Sequence, residues 1–363
     1  MVQNTDYKKL IATTLTKMEV MQARITELET RQKEPIAVVG MGCRFPGGIT
    51  SPEEYWNYCK AGLDAITEVP KSRWDSSKFY TKEPTIGKIN THYGGFLQQD
   101  ITEFDARFFS ISSREATSMD PQQRLLLEVT WEALENANLP PNNLADHTVG
   151  VFVGITSVDN AITVYNSSYD QIDSFFGTGN ALSAAAGRLS YFFNLRGPCL
   201  SIDAACASSL VAVHQAIRSL RNRECELALV AGVNLILNPA ITINLSQSGM
   251  LSPDGRCKTF DASANGYGRG EGCGVLVLKT LSEAQKKGDR ILAILRGSAV
   301  NHNGAAAGLT VPSGPAQQEL LRQAIADARI TPEDVGYIEA HGTGTSLGDP
   351  IEMNAIASVY GKR

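Results

Sequence analysis

A layered α/β architecture is what this sequence predicts, and three observations predict it. Beyond residue 33, short continuous apolar runs of strand length recur: "PIAVVGMG", "TVGVFVGI", "LALVAGVNLIL", "CGVLVLKTL" and "ILAILRGSAV". They are rich in β-branched residues and do not alternate, the pattern of parallel strands buried on both faces. Stretches of helical character lie between them, including "PQQRLLLEVTWEALENA" and "SSLVAVHQAIRSL". Finally, 363 residues, 43% hydrophobic and 20% charged, are enough for a large core and for two similar structural units.

Residues 1–33 differ from the rest: they hold no glycine or proline and are rich in helix formers. Tyr7, Ile11, Thr14, Met18, Met21, Ile25 and Leu28 follow one another in alternating steps of four and three, an a/d seam broken only by Thr14. The segment reads as a short coiled-coil helix, with an amphipathic helix lying on its own domain as the alternative. The first apolar run then opens a glycine cluster, "VVGMGCRFPGG", which superficially resembles a dinucleotide-binding loop. The sixth position of that fingerprint is Phe45, Pro46 follows, and no clear ribose-binding acid closes the unit, so a nicotinamide site is not expected. Residues 68–108 are irregular, polar and aromatic, and read as a long loop of the kind used for binding or interfaces.

The stretch "SIDAACASSL" at 201–210 follows an extended segment, "GPCLSID". After Cys206 the apolar positions Leu210, Val213, Ile217 and Leu220 recur at helical spacing, which puts Cys206 at a helix start. Unpaired amides and the helix dipole there favour a thiolate, and small neighbours (Ala204, Ala205, Ala207, Ser208) leave room for a carbonyl to approach. The bland reading is a buried helix-start cysteine, as expected for Cys199, Cys225 and Cys273. "GYGRGEGCG" at 266–274 precedes a strand and reads as a tight turn bringing backbone close to a neighbour. In "YIEAHGTGTSLGDPIE", a strand over "VGYIEA" is expected to end at His341, followed by a glycine-threonine loop and a helix with Asp349 as N-cap and Pro350 at its first position. A histidine at such a strand end is placed for chemistry, and beside an activated cysteine it becomes a candidate acid, base or hydrogen-bond donor.

Several function classes fall away. The formal net charge is −5 and the basic residues are dispersed, so nucleic acid is not an expected partner. No apolar run approaches the ~18 residues of a membrane span, and Asp6, Lys8 and Lys9 replace a signal-peptide core, which makes cytoplasm the expected compartment. Seven cysteines without C-x-x-C spacing read as free thiols, and five scattered histidines give no expected metal site.

The cysteine and histidine motifs together resemble the β-ketoacyl synthases, specifically the ketosynthase domains of type I modular polyketide synthases. "EPIAVVGMGCRFPGG", "WDSSKFY", "MDPQQRLLLEVTWEALENA", "GTGNALSAAAGRLSYFFNLRGPCLSIDAACASSL", "FDASANGYGRGEGCGVLVLK", "GLTVPSGPAQ" and "EAHGTGTSLGDPIE" follow in family order over residues 34–363. The resemblance implies a thiolase-like layered α-β-α-β-α fold, assembled as a homodimer, with 34–285 as the N-terminal half and 286–363 as the start of the C-terminal half. It implies that residues 1–33 are a coiled-coil docking segment toward an upstream synthase module. It further implies that Cys206 accepts the acyl group and supplies one oxyanion donor through its own N–H. His341 would then support decarboxylation of a malonyl thioester. Thr343 and Thr345 would bind the pantetheine amides, while Asp349 and Glu352 would orient the site. The implied partners are acyl carrier proteins, whose 4'-phosphopantetheine carries the substrates, and no bound cofactor is implied.

One departure stands out. The family pattern continues through a lysine and a second histidine to a glycine-rich loop, and none of these occurs here. The sequence is therefore expected to be a C-terminally truncated piece, able to acylate Cys206 but not to condense. A non-catalytic docking or scaffold partner with the same fold is the rival reading; the intact cysteine speaks against it. A thiolase-like enzyme shares the cysteine logic but fits "HGTGT" and "MDPQQR" poorly.

Overall fold

The computed structural model describes residues 2–83 and 85–361. Its centre is one six-stranded sheet. The strands are β1 (Ile36–Arg44), β2 (Val149–Gly154), β3 (Cys199–Ile202), β4 (Leu227–Asn234), β5 (Gly272–Thr280) and β6 (Ala293–Leu295), in the order β3-β2-β4-β5-β1-β6. The helices that matter here are α1 (Val2–Gln32), α2 (Pro121–Asn136), α3 (Leu182–Phe192), α4 (Ser208–Asn222), α5 (Gly314–Ala328) and α6 (Gly348–Tyr360).

The all-parallel expectation is corrected. β2 runs parallel to β3 and β4, but β5 is antiparallel to both β4 and β1, and β6 is antiparallel to β1. Unalternated apolar runs report burial on both faces, and an antiparallel strand covered by helices on both sides gives the same pattern. Successive residues indeed point to different cores. Val151, Val153, Leu229, Ala231, Val275 and Val277 pack with α2 and α3 residues such as Leu126, Val129, Ala133, Ala185 and Leu189. Phe152, Ala228, Val230 and Leu278 pack with Ala212, Ala216, Ile217 and Leu220 of α4. Burying Ile217 and Leu220 stabilises the α4 seat by roughly 1.5–3 kcal/mol each.

Leu210 does not belong to that stripe: it is 74% exposed, so the helical spacing was sound but its first member faces outward. The run 291–300 contributes only the three residues of β6, an edge strand whose Ile294 is 48% exposed. Among the described residues, 335–340 form no strand. A strand needs a paired neighbour, and among the described residues no sheet strand pairs with that stretch.

Gly40 and Gly42 on β1 explain the opening glycine cluster. A Cβ on either would lie 2.5 Å from the Ala133 carbonyl oxygen or 2.7 Å from that of Val129. They let α2 press onto the strand, a packing role rather than a phosphate-binding one. The long 68–108 segment is irregular, with a two-residue ribbon pairing Thr67–Glu68 to Tyr93–Gly94. It is pinned by a buried bidentate pair, Arg73 Nε to Glu271 Oε1 at 2.9 Å and Nη2 to Oε2 at 3.0 Å. Glu271 also accepts the amides of Leu97 (2.9 Å) and Ile236 (3.0 Å), so its four hydrogen bonds offset the cost of burying charge.

Among the described residues, the hydrogen bonds that join helix α1 to the body lie near its end. Arg31 donates to the carbonyls of Arg221 (2.8 Å) and Asn222 (3.1 Å), closing the C-terminus of α4. Arg221, buried, donates to Glu34 O, Arg296 O and Asp327 Oδ2, and Lys33 donates to Asp327 Oδ1 at 2.7 Å. The seam members Ile11, Met18, Met21, Ile25 and Leu28 are between 38% and 64% exposed, so α1 does not lie on its own domain. The side chain of Tyr7, the first seam member, lies outside the described residues. No helix among the described residues is long and apolar enough to cross a membrane.

Candidate active site

The chain leaves β3 at Ile202, turns through Asp203–Ala207 and enters α4 at Ser208, with Cys206 in a single 3-10 turn over Ala205–Ala207. The turn is sharp enough to put Ala205 in the left-handed region, at φ 50°, which costs a non-glycine residue of order 1 kcal/mol. Local hydrogen bonds hold it there. Asp203 Oδ1 accepts from Ala205 N (3.0 Å), and the buried Ser208 hydroxyl accepts from Ala204 N (2.9 Å) while donating to Ala205 O (2.7 Å). Ser208 thus closes a clasp around Cys206, whose own side chain is exposed.

The other thiols differ. Cys225 and Cys273 are buried, and burial raises both thiols above the ordinary value. Burial pushes Cys43 up to about 11. The helix-start expectation is corrected for all three: Cys225 lies between α4 and β4, Cys273 on β5, and Cys199, exposed rather than buried, on the edge strand β3. Cys59 and Cys257 are also exposed, but neither stands at a helix start as Cys206 does.

The histidine loop is built by two carboxylates. Glu352, on α6, accepts the amides of His341 at Oε1 (2.7 Å) and of Gly342 at Oε2 (2.9 Å). Asp349, almost fully buried, accepts from Gly344 N at Oδ1 (3.0 Å) and from Phe260 N at Oδ2 (2.8 Å). Gly342 and Gly344 lie at φ 53° and 73°, which is why this turn needs glycine on both sides of Thr343. Thr343 Oγ1 and Thr345 Oγ1 are hydrogen-bonded to each other at 3.0 Å.

The N-cap expectation for Asp349 is corrected here. α6 begins at Gly348, one residue before it, and the Thr345 hydroxyl accepts from Gly348 N at 3.1 Å. The aspartate sits inside the first turn with its carboxylate turned back onto loop amides, so it cannot also cap.

A third segment, 250–268, stands between the two motifs. Gly266 N donates to Gly344 O at 2.9 Å, and Thr259 Oγ1 donates to Gly342 O at 2.6 Å. Tyr267 is clamped by its backbone, its N–H on Met250 O and its carbonyl on Ser252 N, both at 2.9 Å. Burial raises its phenol, and the neighbouring Cys206 thiol raises it further. Among the described residues no hydrogen bond joins Cys206 to His341, while Gly266 N and Thr259 Oγ1 tie the 250–268 segment to the loop after His341. Sequence reasoning singled out Cys206, His341, Thr343, Thr345, Asp349 and Glu352, read Ser208 only as a small neighbour and Tyr267 only as part of a tight turn, and missed Thr259 and Phe260. The serine has a signal, since Ser is a favoured residue at helix starts. The roles of the other three have none, because they depend on a fold that returns these residues to a distant loop.

Comparison with known proteins now decides the family. Residues 33–284 match the family model described as Beta-ketoacyl synthase, N-terminal domain, and residues 292–363 the one described as Beta-ketoacyl synthase, C-terminal domain. The chain belongs to the beta-ketoacyl synthase family. Among this synthase's relatives is a phenolphthiocerol/phthiocerol polyketide synthase polypeptide of Mycobacterium tuberculosis (strain ATCC 25618 / H37Rv), 52% identical over 361 residues. That match covers 99% of this chain and 16% of the relative. Another phenolphthiocerol/phthiocerol polyketide synthase polypeptide, from Mycobacterium tuberculosis (strain CDC 1551 / Oshkosh), is 50% identical over 90% of this chain and 21% of its own length. The synthase chain therefore spans about one-sixth to one-fifth of the curated relatives it matches. Among solved structures, the oxazolomycin ketosynthase domain OzmH KS7 of Streptomyces albus JA3453 has a TM-score of 0.86 and 38% identity, covering 90% of this chain and 56% of that one. The ketosynthase from module 6 of the bacillaene synthase of Bacillus subtilis 168 has a TM-score of 0.81 and 41% identity, covering 91% and 55%. These likenesses give the sheet and its helices the thiolase-like fold of ketosynthases.

Proposed function

We propose that this chain forms the ketosynthase region of a modular polyketide synthase and that Cys206 is its acyl-accepting nucleophile. The observation that carries the reading is the exposed Cys206 in a strained, hydrogen-bonded turn at the start of α4. In the first half-reaction Cys206 Sγ attacks the thioester carbonyl of an acyl carrier protein. The new C–S bond forms as the bond to the pantetheine sulfur breaks, and the pantetheine leaves as the thiol. In the second, a malonyl-type extender on another carrier loses carbon dioxide, and its carbanion attacks the acyl carbon, returning the sulfur of Cys206. His341 supports that decarboxylation. Thr343 and Thr345 hold the pantetheine amides, and Asp349 and Glu352 orient the loop without carrying protons, a role supported by the backbone amides each one accepts.

The same reading divides the chain into a docking helix (1–33), an N-terminal half (34–285) and a C-terminal part (286–363). The exposed seam of α1 supports a coiled coil toward an upstream synthase module, and the outer edge of β3, with Leu200 exposed, supports a homodimer. The substrates arrive on carrier protein, no cofactor is bound, and the compartment is the cytoplasm. The test is the intact mass of the chain after incubation with short acyl thioesters. One acyl group should appear on the wild type and none on Cys206→Ala; an adduct that survives the substitution overturns the assignment. A chain that takes no acyl group yet binds carrier protein would favour the scaffold reading.

A further inference from the structure

We propose that Gly154 and Gly232 are positioning residues for Cys206: two glycines facing each other across parallel strands form the seat that sets how deeply the first turn of α4 sinks onto the sheet. The proposal rests on Cys206 as the acyl acceptor, and it adds two residues that act on that site through the first turn of α4.

Gly154 ends β2 and Gly232 lies near the end of β4, and the two are partners in the ladder register. Above them lies Ser209, directly after the Ser208 clasp. A Cβ on Gly154 would sit 2.6 Å from Ser209 N, 2.7 Å from Ser208 C and 2.8 Å from Ser209 Cα. A Cβ on Gly232 would sit 2.8 Å from the Cβ of Ser209. Neither glycine has a positive φ, so it is the missing side chain, not backbone freedom, that the fold uses. Ordinary contacts between such atoms begin near 3.4 Å. A methyl group at either position therefore lifts the helix start by several tenths of an ångström, or breaks its fit to the strands. Ser208 would carry the shift to Ala204 and Ala205 through its two hydrogen bonds, and so to the backbone on both sides of Cys206.

The two positions differ in a way that makes the idea testable. Gly154→Ala strikes backbone, which no second substitution can remove, whereas Gly232→Ala strikes only the Cβ of Ser209, which Ser209→Gly deletes. The experiment compares Gly154→Ala, Gly232→Ala, Ser209→Gly and the Gly232→Ala/Ser209→Gly double variant, with circular dichroism to establish folding. The readout is the single-turnover rate of self-acylation over a range of a short acyl-pantetheine thioester. Both alanine variants should lose about tenfold or more in maximal rate, as sub-ångström misplacement of a reacting group does. Half-saturation should stay within about twofold, since thioester binding is left in place. The double variant should return to the rate of Ser209→Gly alone, and Gly154→Ala should remain slow.

A folded Gly232→Ala chain that acylates at the wild-type rate overturns the seat, and so does a double variant no faster than Gly232→Ala. If Gly154→Ala does not fold, the Gly232 and Ser209 pair still decides. Iodoacetamide alkylation of Cys206, followed by mass, repeats the comparison without acyl transfer. An absent wild-type acyl adduct thus marks failure of the acyl-acceptor reading, while equal alkylation rates across the variants mark failure of the seat.

Discussion

Asp349→Ala should release the histidine loop from the body of the protein. The carboxylate is 4% exposed and accepts two backbone amides, Gly344 N at 3.0 Å and Phe260 N at 2.8 Å. Hydrogen bonds to a charged group contribute about 1.5–3 kcal/mol each, so losing both costs at least about 3 kcal/mol, before any penalty for leaving the amides unpaired. The loss is local in its first effect. Phe260 sits at φ 60° and Gly344 at φ 73°, conformations that these bonds help to hold. Hydrogen–deuterium exchange read by mass spectrometry on peptides covering 257–261 and 341–346 measures it directly. About 3 kcal/mol corresponds to roughly a hundredfold faster exchange at those amides. Asp349→Asn keeps one acceptor oxygen and turns an N–H toward the other amide, so it should fall between wild type and alanine. Unchanged exchange in both segments of the alanine variant would refute the view that this aspartate ties the loop to residue 260.

Asp327 gives a pH prediction. Burial works to raise it, but Lys33, the amide of Ser298 and Arg221 together hold it at about 2, against an ordinary 3.8. Because the folded carboxyl titrates below the free one, its contribution of about 2 kcal/mol is complete above about pH 4 and is lost as pH falls through about 2. Urea unfolding should therefore show a flatter acid-side decline for Asp327→Asn than for wild type; parallel declines would count against the assigned pairing. For α1, replacing Met21 and Ile25 by lysine puts charge on two exposed seam positions. It should abolish capture of an upstream synthase segment in a pull-down, and retained capture would remove the coiled-coil reading. His341→Ala should keep the acyl adduct while slowing malonyl decarboxylation about 10²–10⁴-fold, the usual contribution of a positioned acid or base.

Much of the fold could be read from residues 34–290 because each element there carries its own pattern. The α2 and α4 helices and the β1, β2, β4 and β5 strands all lie where apolar spacing placed them. Strand direction could not be read, since burial on both faces erases the alternation that would have separated parallel from antiparallel neighbours. Leu210 fits the helical period yet faces out, because periodicity marks a helix face without saying which side the protein covers. Residues 335–340 are apolar enough for a strand, but a strand is a property of two chains side by side. The turn that carries Cys206 and the glycine loop after His341 were legible from small neighbours and from the glycines themselves. What Asp349 does was not: from sequence a D-P pair announces a helix cap, and only the return of Phe260 and Gly344 to one place gives its carboxylate better partners. The seat under Ser209 was equally hidden, because Gly154 and Gly232 meet only across the sheet.

The central claim is that one thiol among seven is chemically distinct. After a brief incubation with an acylated carrier protein, tryptic peptides can be fragmented to locate the acyl group. Peptide 197–218 holds both Cys199 and Cys206, two exposed thiols that fragment ions separate. The acyl group should sit on Cys206, with Cys59, Cys199 and Cys257 unmodified. Acylation of Cys199 or Cys257 at a comparable rate would contradict the account, because exposure alone, and not the turn at the start of α4, would then govern which sulfur reacts.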